Sequence, residues 1–141
     1  MCTTAIDFFE EDAHYPRTFQ KDKICKVISN IISTETTKEL DFINIILCSD
    51  ENLYSINTRY LEHFFYTDII TFDYSESTIA SDMYISLDRI IDNATKNSVT
   101  LQNELDRIII HGTLHLAGYK DTSQKDKKIM TSKENEYLQL I

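Results

Sequence analysis

The apolar positions of this chain change period several times, and each change marks an element. AIDFFEED, Ala5 to Asp12, reads as a short strand. After Pro16, the residues Ile24, Val27, Ile28, Ile31 and Ile32 recur at i, i+3, i+4, i+7 and i+8, which predicts an amphipathic helix of about four turns. DFINIILC, Asp41 to Cys48, is almost continuously apolar and predicts a central strand covered on both faces. Ser49 stands as an N-cap, with Asp50 and Glu51 in the first turn of a helix carrying Leu53, Ile56 and Tyr60. YTDIITFDY, Tyr66 to Tyr74, predicts the next strand. DMYISLD, Asp82 to Asp88, predicts another, alternating Met83, Ile85 and Leu87 against Tyr84, Ser86 and Asp88. Leu87, Ile90, Ile91 and Ala94 mark a short helix, and a longer one from about Thr100 carries Leu101, Leu105, Ile108, Ile109 and Leu116. Ser123 and Asp126 form a capping pair for a further helix holding Ile129, Met130, Tyr137 and Leu138. The order β, α, β, α, β, β, α, α, α predicts an α+β fold. We expect a single compact domain over residues 1–141, with about four strands in a mixed sheet packed against about five helices.

Composition narrows the function classes. A chain of 141 residues that is 42% hydrophobic, with 8 Tyr and 7 Phe, can bury a core without staples, so a metal here serves function rather than folding. Net charge of −9 argues against broad attraction to nucleic acid and requires a local basic face for any such partner. Two lysine-rich runs, Arg17 to Lys26 and Lys120 to Lys133, are more simply solvated helix faces. The acidic N-terminus does not read as a signal peptide, and the apolar run around FINIILC is too short to span a bilayer. These features predict a soluble, cytoplasmic protein with no membrane partner. Cys2, Cys25 and Cys48 form no CxxC pattern and read as reduced thiols.

One stretch carries chemistry: HGTLHLAGYKD, His111 to Asp121, which holds both of the chain's 2 glycines and two of its 4 histidines. On a helix, residues four apart lie one turn above the other, so His111 and His115 project from one face. Gly118 can end that helix in a left-handed conformation, and the returning chain brings Asp121 toward the same face. Two imidazoles and a carboxylate form a three-ligand set that leaves a zinc ion one open position. The same set also serves iron oxygenases, so the ligands alone leave the metal open. The spacing HxxxHxxGxxD is that of the metzincin proteases except at two positions, Gly112 for the glutamate and Asp121 for the third histidine. Glycine cannot take a proton, which disfavours the protease reaction and leaves phosphodiester hydrolysis by a metal-bound water as the better fit.

These residues resemble the YbeY family of bacterial endoribonucleases, described as zinc-dependent and active in ribosomal RNA maturation. The family signature HGxLHLxGYDH stands here as HGTLHLAGYKD. The family's TDVLSFP stands as TDIITFD, Thr67 to Asp73, and its GDIYIS as SDMYIS, Ser81 to Ser86. Ala94 and the acidic lead-in ELDRIIIHG, Glu104 to Gly112, are also family-like, so the resemblance covers residues 40 to 122 in order and spacing.

The resemblance implies one α+β domain with the zinc helix flooring a cleft. It implies one Zn2+ per chain on His111 and His115, with Asp121 as the third ligand where most members carry histidine. It further implies a single-strand-specific endoribonuclease acting at the small-subunit rRNA 3′ end and in ribosome quality control, with RNA and the small ribosomal subunit as partners and no DNA. One family arginine, directly after an Asn-x-x-Tyr segment, is replaced by Leu61. Arg59 lies two residues earlier, about 200° away around a helix. The catalytic group is therefore unassigned, with Arg59 and Lys120 as candidates, while Thr67 and Asp68 are expected behind the ligands or lining the substrate site. His63 reads as an exposed or structural histidine. The competing readings are a metal-stabilised RNA- or ribosome-binding assembly factor and, behind it, a metalloprotease-like hydrolase.

Overall fold

A computed structural model describes residues 4–141. The first strand, β1 (Ile6–Glu10), is followed by helix α1 (Lys21–Glu35), whose length lets the chain return so that β2 (Glu39–Cys48) pairs parallel to β1. Helix α2 (Asp50–Leu61) then leads to β3 (Ile69–Asp73), which turns directly into β4 (Thr78–Ser86), and these two pair antiparallel. Since β4 also pairs parallel with β2, the sheet runs β1-β2-β4-β3 and is mixed, as the sequence predicts. Three helices follow: α3 (Leu87–Lys96), α4 (Leu101–Leu116) and α5 (Gln124–Leu138). Among the described residues this is a four-stranded sheet with five helices, an α+β fold.

The main core lies between the sheet and the layer of α1 and α4. Ile24, Ile28 and Ile31 of α1 bury against Ile43, Ile45 and Leu47 of β2, with Met83 and Ile85 of β4 and Leu105, Ile109 and Leu114 of α4 completing the cluster. A smaller cluster on the opposite face joins Leu53 of α2 to Cys48 and Ile70. The unbroken buried run of β2 is Ile45 to Cys48, whereas Phe42 and Asn44 are half-buried, so full two-sided cover is confined to one end of the strand. The cause is that α2, 12 residues long, reaches over one end of the sheet alone.

Several strand boundaries differ from expectation, among them the start of β4, which lies at Thr78 rather than Asp82. Tyr66 to Asp68 belong to the connection before β3. Leu87 and Asp88 open α3, because the Ser86 side chain accepts from the Arg89 N–H as an N-cap and converts the strand's alternation into a helical stripe. Ser49, Thr100 and Ser123 cap α2, α4 and α5 as their positions suggest, the last in a full capping box with Asp126. Cys48 is a buried free thiol, Cys25 is disulfide-bonded, and Cys2 lies outside the described residues. The expectation of three reduced thiols therefore fails at Cys25: an odd cysteine count still permits one bond, and spacing does not report approach in space. Among the described residues no helix is long and apolar enough to cross a membrane.

Both glycines stand at the functional end of α4, Gly112 inside it and Gly118 just past its C-cap, for different reasons. A Cβ at Gly112 would lie 2.9 Å from Ile69 Cδ1 and 3.0 Å from Met83 Sδ, so glycine lets α4 seat closely on β3 and β4. Gly118 takes φ +105° with open space around it, and its N–H donates to the His115 carbonyl while that of Tyr119 donates to the Leu114 carbonyl. That pair of bonds is a Schellman termination. Alanine should separate the two roles. Gly118→Ala is expected to cost about 1–2 kcal/mol from backbone strain alone, a fall in Tm of about 3–8 °C. Gly112→Ala should stay within about 1 kcal/mol, because the helix-propensity gain offsets the displacement of two flexible side-chain tips. Thermal denaturation followed by far-UV circular dichroism measures both, and equal losses would refute the distinction.

Candidate metal centre

The last two turns of α4 and the loop after Gly118 bring three donor groups to one point. His111 Nε2 and His115 Nε2 lie 3.1 Å apart, and Asp121 Oδ2 is 3.3 Å from each of them. Donors about 2.0–2.1 Å from a tetrahedral zinc ion lie about 3.3–3.4 Å apart, so the triangle closely matches one face of such a coordination shell.

The protonation pattern makes the same point independently. His115 Nδ1 is 2.9 Å from the Tyr119 carbonyl oxygen, which can only accept, so this nitrogen carries the proton. His111 Nδ1 is 2.7 Å from Glu134 Oε2, which fixes the same tautomer. Both Nε2 lone pairs therefore face each other and a carboxylate oxygen, a concentration of negative potential that a cation resolves. His111, His115 and Asp121 can hold a metal ion.

Glu134 was not legible as a site residue, yet it organises the first ligand. It is 7% exposed, takes His111 on one oxygen, and receives Arg107 Nη1 on the other at 2.8 Å. Burial alone would lower the basicity of His111, but the bond to Glu134 and the nearby charges of Asp121 and Asp68 raise it above the ordinary imidazole value. The available signal was that Glu134 stands on the buried stripe of α5 with Met130 and Tyr137, a place where an acid needs a partner.

A second acid, Glu35 at the end of α1, accepts from the hydroxyls of Tyr119 and Tyr137 and pairs with Lys133 at 3.4 Å. Burial pushes its carboxyl upward, but these partners hold it below the usual range. The ligand-bearing loop is thus tied to both α1 and α5.

Thr67 and Asp68 line the cleft of about 390 Å³ beside the three donors, along with Thr71 and Asp73. Burial raises the Asp68 carboxyl above its ordinary value, with the charge of His111 opposing. Arg59 is exposed in the last turn of α2, with its guanidinium carbon 6.0 Å from the Tyr60 ring centre, and is not a lining residue of this cleft. Lys120 is exposed on the loop and is likewise not among the lining residues. His63 is exposed and stacks on Phe65.

Neutralising Glu134 should loosen the site. Glu134→Gln keeps an acceptor for His111 but removes the charge, and zinc affinity is expected to fall about 10- to 100-fold. Competition against a chromophoric chelator reads this directly. Unchanged affinity in a folded variant would show that Glu134 plays no part in holding the ion.

The geometry can be set beside known proteins. The family model described as endoribonuclease YbeY matches residues 6–141. A protein named endoribonuclease YbeY from Cytophaga hutchinsonii is 44% identical over 137 residues, covering 96% of this chain and 94% of its own length. Its namesake from Parabacteroides distasonis is 40% identical, covering 97% of this chain and 96% of its own. The solution structure of TM1509 from Thermotoga maritima superposes with a TM-score of 0.67 at 25% identity, across 96% of this chain and 87% of that one. Matched along nearly its whole length by model, relatives and fold alike, the chain belongs to the YbeY family of endoribonucleases.

Proposed function

We propose that this protein is a zinc-dependent endoribonuclease that cuts single-stranded RNA during ribosomal RNA maturation, in the cytoplasm and against the small ribosomal subunit. The observation that carries the metal-dependent reaction is the inward convergence of the two Nε2 atoms and Asp121 Oδ2 within a cleft. Family membership supports RNA as the substrate. Held by His111, His115 and Asp121, a zinc ion would supply Lewis acidity, offsetting phosphate charge and lowering the pKa of water in the cleft. Asp121, being anionic, would make that ion a weaker Lewis acid than a third imidazole would.

The remaining steps fall to the chain's own groups. Gly112 offers no proton acceptor and packs against Ile69 and Met83 rather than into open space, which removes the metzincin general base from this position. Asp68, the half-buried carboxylate in the cleft wall with raised basicity, is the group we assign to accept the water's proton. Its backbone carbonyl accepts from the Ser86 N–H at 2.9 Å, and Asn93 Nδ2 approaches its side chain at 3.4 Å, so its placement is fixed from two sides. Thr67 and Thr71 present hydroxyls along the same wall for phosphate and ribose oxygens. The assembly-factor reading keeps one point in its favour, the position of Arg59 away from the cleft.

Purified protein incubated with a single-stranded RNA and with its duplex tests this reading. His115→Ala should reduce single-strand cleavage by about 100-fold or more while the protein stays folded. A chelator should abolish cleavage by the parent chain, and added zinc should restore it. Cleavage that survives His115→Ala would refute the metal-centre mechanism, and stoichiometric zinc with RNA binding but no cleavage would favour the assembly factor.

A further inference from the structure

Six Phe and Tyr side chains are exposed among the described residues, and four of them, Tyr60, Phe64, Phe65 and Tyr66, fall within seven positions. Phe64 is 75% exposed, Tyr60 63% and Phe65 54%, and every residue from Arg59 to Tyr66 is open to solvent. A cluster of this kind on an acidic surface marks a contact site.

The backbone beneath these rings is fixed. Glu62 adopts φ 56°, a left-handed conformation, and its N–H donates to the Asn57 carbonyl, as does that of His63 at 3.1 Å. Asn57 is 1% exposed, and its side-chain amide donates to the Phe65 carbonyl at 3.0 Å. The rings are also ordered among themselves. His63 stacks on Phe65 at 5.2 Å and 19°, while Tyr66 leans on Tyr54 at 4.6 Å with its hydroxyl held by Glu51. The chain keeps flat, apolar faces in water on a rigid support, so the ordering cost of a contact is met before any ligand arrives. The next two residues, Thr67 and Asp68, line the metal cleft.

Resting on the endoribonuclease reading above, we infer that the segment His63 to Tyr66 is a base-stacking platform from which single-stranded RNA runs into the cleft that Thr67 and Asp68 line. Phe64 and the His63–Phe65 pair take the faces of unpaired bases beside the scissile phosphodiester. The chemistry suits this protein in particular. A net charge of −9 denies it the broad phosphate contacts that drive most nucleic-acid binding, and stacking supplies affinity without them. Stacking also discriminates by strandedness, because the bases of a duplex already cover one another's faces.

The test uses the zinc-loaded full chain and a cleavage-resistant 2′-O-methyl oligonucleotide with 2-aminopurine beside the target linkage. With no tryptophan in the chain, the fluorescence of that base reads stacking without overlap. The parent protein is expected to quench it. The double variant Phe64→Ala, Phe65→Ala should abolish the quenching and raise Kd about tenfold or more, with KM for cleavage rising in parallel. Phe64→Tyr with Phe65→Tyr, which keeps both rings, should preserve quenching and affinity, and duplex binding should not respond to either change. Unchanged quenching and Kd in the alanine variant would overturn the platform while leaving the endoribonuclease intact. The platform is equally overturned if that variant loses a ribosomal protein partner but keeps RNA. Failure of the parent chain to bind or cut single-stranded RNA would bring down the underlying reading, and the platform with it.

Discussion

Two imidazole lone pairs and a carboxylate oxygen pointed at one spot are the arrangement around which the rest of the molecule makes sense. Left to themselves these three acceptors would repel, and each has an easy escape: rotation of a ring or retreat of an exposed loop. The fold closes those escapes from behind. Glu134 and the Tyr119 carbonyl each occupy the outer nitrogen of one ring, so a neutral imidazole keeps its proton on that outer nitrogen and turns its lone pair inward, through contacts of 2.7 and 2.9 Å. The site is held in its ion-accepting state by contacts that do not touch the ion.

Those contacts come from three directions, and each depends on packing. Helix α4 sets the two histidines and is seated on the sheet where Gly112 permits close approach to Ile69 and Met83. Ile69 and its neighbours on β3 present alternate side chains to opposite faces, so Ile69 and Thr71 reach the metal cleft while Ile70 and Phe72 serve the smaller cluster under α2. Helix α5 delivers Glu134, with Arg107 of α4 balancing the buried charge. A carboxylate that far from water is tolerable only in such company.

The elements and their order were legible because their periodicities are strong, and His111, His115 and Asp121 were legible because a helix fixes their spacing. What stayed hidden was whatever depended on the meeting of distant segments. Glu134 lies 23 residues beyond His111, and Glu35 lies 84 before Tyr119, so nothing local announces either bond. The strand ending at Ser86 rather than Asp88 shifted because side-chain capping overrode alternation. Tyr66 reads as the first residue of a strand and Phe64 and Phe65 as its approach, since a sequence does not report which rings are buried. Gly112 shows the opposite case: a glycine in mid-helix asks for a close neighbour, and Ile69 and Met83 are that neighbour.

The carboxylate of Glu35 joins three pieces of the fold: the end of α1, the loop that bears Asp121, and helix α5. An ion that tightens the loop therefore tightens the packing of helices well outside the cleft, and by reciprocity anything that loosens α1 from α5 promotes release of the ion. With a metal on His111, His115 and Asp121, the global unfolding free energy would depend on free metal concentration, rising by about 2.7 kcal/mol when that concentration is about a hundred times Kd. In a metal-starved cell, catalytic capacity and resistance to proteolysis would decline together.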